Sequence, residues 1–309
     1  MIKKTLLAAV LLILVFIQVI TPAFGHPGSG IAVDGEGHVY FVDTGHGVWK
    51  IDKRGQLTPH QGSAFHWMAI DLNGRLAKTR WPSHSEPSAE IERVGVKPTL
   101  ILSSDFPVTV GPDGALYYPE LGSDQRVQVI RLTPAGDRSV LATLPAVSDG
   151  GALRWLNGIA AGPDGSIYYS ENTAVRRITP RGTISTIASK IVVPDCVRIP
   201  GSGPDLGAFL RGLDVAPDGT IYVAASACGT LLRITPRGEV TPILRTTSPW
   251  SPTGVAITPG YVYVLEYLHT ASDDRREWIP RVRRLSPDGK VVVLATVERG
   301  RSTGPPRMK

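Results

Sequence analysis

GIAAGPDGSIYYSENTAVRRITPRGTISTIA, residues 158–188, contains four short apolar segments that are separated by turns. The first turn is Pro163-Asp164-Gly165, in which proline presets the backbone and glycine adopts the positive φ that closes the turn. The third and fourth segments are joined by a second turn with Pro and Gly at residues 180–182. This order of β-branched residues and tight turns predicts four consecutive antiparallel strands.

The hairpin that opens this stretch recurs along the whole chain. The other copies are GIAVDGEGHVYFVD (30–43), WMAIDLNGRLAKT (67–79), VTVGPDGALYYPE (108–120), GLDVAPDGTIYVAA (212–225) and GVAITPGYVYVLE (254–266). The first strands of successive copies begin 37 to 54 residues apart, which is the length of a four-stranded blade. One blade cannot cover its own apolar faces, so a closed ring supplies the missing burial. We therefore predict an all-β, six-bladed β-propeller with four-stranded antiparallel blades over residues 26–298.

Residues 1–25 have the organisation of a secretory signal peptide. Lys3 and Lys4 precede an apolar run at residues 5–20, and Ala23 and Gly25 supply small side chains for cleavage. The alternative is an uncleaved N-terminal anchor, although a bilayer span needs about 20 apolar residues. We expect a secreted or periplasmic protein with no integral membrane domain beyond this segment. Residues 299–309 are predicted to form a flexible basic tail.

The cysteine content agrees with export. The chain has two cysteines, Cys196 and Cys228, and an oxidising compartment favours their pairing in one disulfide. Two free buried thiols are the alternative. If the pair forms, it joins two segments predicted to lie at the same end of the ring.

The charge excludes one class of partner. Removing residues 1–25 takes away two lysines and no acidic residue, so the formal charge falls from +6 to +4. The remaining basic residues are spread over many strands instead of forming one block. We therefore expect no nucleic-acid binding, and we expect a monomer whose partner is a small molecule or an extracytoplasmic protein.

Two stretches of the sequence resemble known propeller repeats. ENTAVRRITPRGTISTIA (171–188) resembles the NHL repeat, and the blades are more loosely similar to the SMP-30/gluconolactonase-like superfamily of six-bladed propellers. LNGIAAGPDG (156–165) matches the Asn-Gly strand start of that superfamily at Asn157. The resemblance implies a site at the axial mouth, where acidic and amide side chains hold a metal. Because such rings host hydrolases, lyases and binding platforms, it specifies the fold better than the function.

The candidate site residues lie where a propeller gathers its loops. In a blade, the turn after the second strand and the link into the next first strand share one end of the ring, here called the top face. Acids end the second strands of four blades, but an acid in this place also accepts N–H groups of a turn. His66, beside an aromatic residue, also suits a wall position, and His46 and His269 suit solvated turns. The predicted ligand-binding residues are His66, Trp67, Asp43, Glu120, Asn157, Glu171, Arg211 and Glu266.

Two functions follow from these residues. The first is binding of a ligand or protein partner at the top-face axial mouth. The second is a metal-dependent hydrolase or lyase acting on a small polar substrate such as a sugar lactone. In the second, Asn157, Glu171 and Glu120 hold calcium or zinc, and Glu120 or Glu171 is the general base. The sequence contains no G-x-S-x-G, H-E-x-x-H or C-x-x-C motif, and binding is the preferred hypothesis.

Overall fold

The computed structural model describes residues 27–61, 65–81, 89–145, 156–200, 207–269 and 277–299. The predicted signal peptide and nearly all of the predicted tail lie outside these residues. The described chain forms six antiparallel sheets, five of them with four strands and one with three. The prediction of an all-β six-bladed propeller is therefore confirmed. None of the described residues forms a helix that is long and apolar enough to cross a membrane.

The strands follow the chain blade by blade. Blade 1 contains β1 (Ile31–Val33), β2 (Val39–Asp43), β3 (Gly47–Ile51) and β4 (Leu57–Gln61). Blade 2 contains β5 (Trp67–Asp71), β6 (Ala89–Arg93) and β7 (Thr99–Ser103). Blade 3 contains β8 (Thr109–Val110), β9 (Leu116–Leu121), β10 (Val127–Leu132) and β11 (Arg138–Thr143). Blade 4 contains β12 (Gly158–Ala161), β13 (Ile167–Ser170), β14 (Val175–Ile178) and β15 (Ile184–Ala188). Blade 5 contains β16 (Leu210–Val215), β17 (Ile221–Ala225), β18 (Thr230–Ile234) and β19 (Val240–Arg245), and blade 6 contains β20 (Trp250–Thr258), β21 (Tyr261–Leu268), β22 (Ile279–Leu285) and β23 (Val291–Thr296).

The repeated Pro-Asp-Gly turns explain why the hairpins form. Gly114, Gly165 and Gly219 have φ between +75° and +82°. The preceding aspartate accepts an N–H from the residue two positions later, as Asp164 does from Ser166 at 3.0 Å. Both interactions are local, so each hairpin is specified by its own residues. These turns form the bottom face, opposite the top face.

Blade 2 departs from the predicted repeat. The prediction of a hairpin over residues 67–79 is wrong, because turns follow β5 where the second strand was expected. The cause is Asp71, whose carboxylate accepts the N–H groups of Asn73 (3.1 Å) and Leu76 (2.8 Å) and folds the chain back. The place of the second strand is taken by β7, which pairs with β5 on one side and β6 on the other.

The ring closes in two ways. Blade 6 contributes all four of its own strands, and Tyr267 and Trp278 pack in one apolar cluster with Phe41 of blade 1. Residues 27–30, the N-terminal segment, are buried at the top face. The N–H groups of Ser29 and Gly30 donate to the carbonyl of His66 at 2.7 and 2.9 Å, which ties this segment to blade 2.

Glycines allow the first strands to meet around the axis. A Cβ on Gly158 would lie 2.7 Å from the carbonyl oxygen of Arg211, and one on Gly212 would lie 2.7 Å from that of Thr253. A Cβ on Gly254 would lie 2.3 Å from the Ser29 oxygen. The main chains of blades 4, 5, 6 and 1 therefore touch in sequence at the axis.

The predicted disulfide is present. Cys196 and Cys228 are bonded, with an S–S distance of 2.00 Å and a Cα–Cα distance of 5.0 Å. Cys228 ends a 3₁₀ turn at Ser226–Cys228 that joins β17 to β18. The amide of Ile199 donates to the carbonyl of Ala227 at 2.9 Å. The segment between blades 4 and 5 is thus fixed to blade 5 by a covalent bond and a hydrogen bond.

Candidate functional site

The top face joins strand ends from several blades. The amide of Asn157, before β12, donates to the carbonyl of Ser170 at the end of β13 (2.9 Å). The hydroxyl of Ser170 donates to the main-chain carbonyl of Arg211 in β16 (2.6 Å). The hydroxyl of Thr253 donates to the carbonyl of Gly28 (2.7 Å). Asn157 and Arg211 therefore lie at one end of the ring, as the repeat pattern predicts.

Each of the four predicted acids pairs with an arginine. The pairs are Asp43 with Arg299, Glu120 with Arg138, Glu171 with Arg176, and Glu266 with Arg281. Asp43 and Glu266 are fully buried, where an ionised carboxylate needs a close cationic partner. The acids therefore orient and neutralise guanidinium groups of the propeller, a role that the sequence pattern did not indicate.

Glu266 has the most elaborate of these environments. Its Oε2 accepts a hydrogen bond from Nε of Arg281 at 2.6 Å, and its Oε1 lies 3.4 Å from Nη1 of Arg283. Burial raises the pKa of Glu266, while the two guanidinium groups act in the opposite direction. The guanidinium of Arg281 also lies 3.8 Å from the centre of the Trp250 ring. Glu266 thus holds β21, β22 and the start of β20 together.

The predicted metal ligands have other partners. Nδ2 of Asn157 donates to Oδ1 of Asn172 (3.1 Å) and to the carbonyl of Leu210 (2.9 Å). Glu171 and Glu120 are held by their arginines. Across the described ranges, no group of three or more His, Cys, Asp or Glu side chains is arranged to hold a metal ion. All three predicted ligands thus have partners within the protein, and the metal site, with its general base, stays a prediction.

His66 and Trp67 contribute to the walls of the ring. Nδ1 of His66 lies 2.8 Å from the carbonyl of Ser104, and its ring meets the Trp67 ring edge to face at 5.5 Å. Trp67 is 7% exposed and packs in the apolar cluster between blades 2 and 3. The carbonyl of His66 accepts the N-terminal segment. This pair therefore supports the mouth through packing and main-chain bonds.

Arg211 and His269 form the most unusual pair at the top face. Arg211 is 2% exposed, and its Nη2 donates to the carbonyl of Pro27. His269, expected in a solvated turn, is instead 7% exposed and packs on Trp278 with ring centres 5.6 Å apart. Burial lowers the pKa of Arg211 to about 10. Burial and the charge of Arg211 lower the pKa of His269 to about 4, so the imidazole is neutral at pH 7.

His269 also lacks the hydrogen bonds that a buried imidazole usually has. Within the described part of the chain, neither Nδ1 nor Nε2 has a hydrogen-bond partner. A neutral imidazole carries one donor and one acceptor, and buried polar atoms are seldom left without partners. His46 follows Asp43 of blade 1 at the same spacing as His269 follows Glu266 of blade 6, so the repeat places both histidines in top-face turns and does not indicate that His269 is buried.

A cavity of about 220 Å³ follows the axis between the six first strands. It shares lining residues with a vestibule of about 350 Å³ among the bottom-face turns. Asp214 borders the cavity, and its carboxylate accepts N–H groups from Val215 and from Ile257 of the next blade, both at 2.8 Å. Burial raises the pKa of Asp214 to about 6. The signal in the sequence is its place in the repeat, where four other blades have alanine and blade 3 has Thr109.

Solved propellers share the architecture at low sequence identity. A calcium-binding protein, regucalcin, from Agrobacterium tumefaciens matches with a TM-score of 0.52 and 14% identity, over 80% of this chain and 84% of that one. A gluconolactonase from Xanthomonas campestris matches with a TM-score of 0.50 and 15% identity, over 78% and 84%. A streptogramin B lyase matches with a TM-score of 0.50 and 17% identity, over 86% and 81%. The resemblance to such propellers is therefore confirmed for the fold, and identities this low carry no activity across.

No protein-family model matches the chain, and no curated protein is similar to it in sequence. The function has to be argued from the chain's own residues.

Proposed function

We propose that this chain is an exported binding protein whose ligand or protein partner contacts the top face around Arg211 and His269. The observation that carries the proposal is His269, a buried neutral imidazole with no hydrogen-bond partner for either ring nitrogen within the described chain. A buried polar atom without a hydrogen bond costs free energy, and a bound group that accepts from one ring nitrogen or donates to the other would remove this cost. Arg211, hydrogen-bonded to the carbonyl of Pro27, supplies a positive charge that acts on this imidazole.

The arginine pairs favour binding over metal-dependent catalysis. A hydrolase of the predicted kind needs a carboxylate free to hold a metal or accept a proton. Glu171 is paired with Arg176 at 2.9 Å, and Glu120 is held by Arg138. Asp43 receives two N–H groups of Arg299 at 2.6 and 2.7 Å. A carboxylate paired with an arginine is a poor base, but the pair helps to fix the shape of a binding surface.

The case for export rests on the predicted signal peptide and agrees with the disulfide. A bond between Cys196 and Cys228 persists in an oxidising compartment and is rare in a reducing one. Fractionation of expressing cells, with N-terminal sequencing of the product, tests this part separately from the binding site.

The test of the binding site compares three forms of the purified, oxidised protein. The wild type, His269→Ala and Lys53→Ala are immobilised and exposed to an extracytoplasmic extract, and retained molecules are identified by mass spectrometry. Lys53 is an exposed bottom-face residue with one surface ion pair, so its loss should change little.

We expect a ligand or partner that the wild type and Lys53→Ala retain and His269→Ala loses. Unfolding curves of all three forms separate loss of binding from loss of folding. Retention of the same molecules by all three forms would contradict the proposed site.

A further inference from the structure

A tyrosine faces a basic residue across the second and third strands of five blades. The tyrosine lies in the second strand, and the basic residue is its direct partner in the third. The pairs are Tyr40 with Lys50, Tyr117 with Arg131, Tyr168 with Arg177, Tyr222 with Arg233, and Tyr263 with Arg284. This repetition explains why the basic residues of the sequence are spread over many strands.

In blades 3 and 4 an aspartate of the bottom-face turn completes the arrangement. Nε and Nη2 of Arg131 donate to Asp113 at 2.9 and 2.8 Å, and Nη2 of Arg177 donates to Asp164. The hydroxyl of Tyr117 also donates to Asp113 at 2.9 Å. The positive charge is thus neutralised within each of these blades.

Blades 5 and 6 break this pattern. Blade 5 has all three residue types, but the exposed guanidinium of Arg233 forms no ion pair or hydrogen bond within the described chain. Asp218 accepts the N–H of Thr220 at 2.9 Å, as Asp113 and Asp164 accept theirs, but within the described chain it holds no guanidinium. The turn of blade 6 is Thr258-Pro259-Gly260 and has no aspartate, so Arg284 lies over the Tyr261 ring at 4.4 Å. Two guanidinium groups here lack the carboxylate that their counterparts have.

The break coincides with a cleft. A cavity of about 620 Å³ lies between blades 5 and 6 at the bottom face, within the usual range for small-molecule sites. Arg233 and Asp218 supply its charged groups, and Tyr222 and Tyr261 supply aromatic surface. Three turn prolines, Pro217, Pro259 and Pro287, complete its rigid rim.

We propose that this cleft binds the uronic acid unit of an acidic carbohydrate. Arg233 pairs with the sugar carboxylate, for which the planar guanidinium is suited. Asp218 accepts hydrogen bonds from sugar hydroxyls through the oxygen that the turn does not use. Tyr222 and Tyr261 cover the apolar face of the sugar ring. The site is on the opposite face from His269 and does not depend on the function proposed for the top face.

The other ligands that the charge would allow fit less well. A simple anion would use Arg233 but neither the aromatic surface nor Asp218. An acidic peptide would pair with Arg233 but would offer Asp218 no ring hydroxyls. A neutral sugar would leave Arg233 without a partner.

The experiment is calorimetric titration of the full-length oxidised protein with sodium galacturonate, sodium glucuronate and trigalacturonate. Galactose and an acetylated Glu-Glu dipeptide are the comparison ligands. The uronates should bind with saturable heat, and galactose should bind at least about tenfold more weakly because it lacks the charge-assisted bond. Tighter binding of trigalacturonate than of the monomers would identify a polysaccharide as the source, and equal binding would identify the free sugar acid.

Arg233→Gln and Arg177→Gln are matched variants of the same blade position. The Arg233 side chain is exposed, and its guanidinium has no polar partner within the described chain, so Arg233→Gln should fold normally and weaken uronate binding about tenfold or more. Arg177→Gln removes a guanidinium already held by Asp164 and should leave the affinity unchanged. Equal affinity of wild type and Arg233→Gln, tighter binding of the dipeptide, or no uronate heat up to about 50 mM would each overturn the proposal.

Discussion

Gly254→Ala should displace the N-terminal segment from the top face. The new Cβ would lie 2.3 Å from the carbonyl oxygen of Ser29, 3.0 Å from its carbonyl carbon and 3.1 Å from Cγ2 of Ile31. Main-chain atoms cannot rotate away as a flexible side chain can. Gly254 lies inside β20, and its φ is outside the left-handed region, so alanine itself is compatible with the strand. The cost therefore comes from crowding alone.

The expected loss of stability follows from the distance that Ser29 has to move. Ser29 has to shift by about 1 Å, and overpacking of this kind costs about 1–3 kcal/mol. The shift also weakens the bond from Ser29 to the carbonyl of His66 (2.7 Å) and that from Thr253 to the carbonyl of Gly28 (2.7 Å), each worth about 1 kcal/mol. We expect a total of about 2–4 kcal/mol, or a fall in Tm of about 5–10 °C.

Gly35→Ala is the matched control, because a Cβ there meets no atom within 4 Å. Its Tm should stay within about 2 °C of the wild type. Calorimetry gives the Tm values, and hydrogen exchange reports on the N–H groups of Gly28, Ser29 and Gly30. If Gly254→Ala has the same Tm as Gly35→Ala and these amides remain protected from exchange, ring closure does not depend on the space at Gly254.

Four further predictions concern other parts of the propeller. Cys196→Ser with Cys228→Ser should lower the free energy of unfolding by about 3–4 kcal/mol in denaturant titrations, because the bond closes a loop across a sequence separation of 32; an unchanged midpoint would contradict this. The folded-state pKa of His269 is lowered to about 4 from 6.5, so the wild type should lose up to about 3 kcal/mol of stability as pH falls from 6.5 to 4. His269→Phe should lack this loss. If the stabilities of the two proteins fall in parallel with pH, the imidazole is not buried. Burial raises the folded-state pKa of Asp214 to about 6 from 3.8, so the wild type should lose stability relative to Asp214→Asn as pH rises from 4 to 6. Because solvent in the cavity screens the charge, we expect a loss of about 1–2 kcal/mol. A stability difference that does not change with pH would count against a buried carboxyl. Chelator should leave Tm unchanged to within about 1 °C, because Glu120 and Glu171 of the predicted metal site are paired with arginines. A metal at one hundred times its Kd would add about 2.7 kcal/mol to the free energy of unfolding. A fall of several degrees in Tm would therefore restore the metal hypothesis.

The fold was predictable because its determinants are local. Each Pro-Asp-Gly turn closes through its own aspartate and glycine, and the number of repeated hairpin segments predicts the number of blades. Blade 2 was misread for an equally local reason. Asn73 and Gly74 resemble a hairpin turn, but the pattern could not show that Asp71 would accept the N–H of Leu76 and bury that side chain.

The site was harder to predict because the repeat does not specify the partners of its side chains. The sequence placed Asn157 and Arg211 correctly at the top face, since strand order alone determines that position. It did not show that arginines would neutralise the four acids. Arg299 lies 256 residues from Asp43, and the other three arginines occupy no common position in their blades. Nor could periodicity distinguish His269 from His46, which lies at the same position of blade 1. Side-chain partners and the burial of individual turn residues are the features that a repeat pattern leaves out.

Residues that depart from the repeat are therefore a better guide to function than the residues that recur from blade to blade. The Tyr–Arg–Asp arrangement of blades 3 and 4 is self-contained and leaves no charge for a ligand. Asp214 stands where four other blades have alanine, and His269 is buried with no hydrogen-bond partner within the described chain. Arg233 lacks the carboxylate that Arg131 and Arg177 have. A ring that folds through local turns can carry such exceptions in a few blades, because the remaining blades hold the structure. Removing one of these three side chains should therefore change binding or pH dependence, whereas removing a paired arginine such as Arg177 should change stability first.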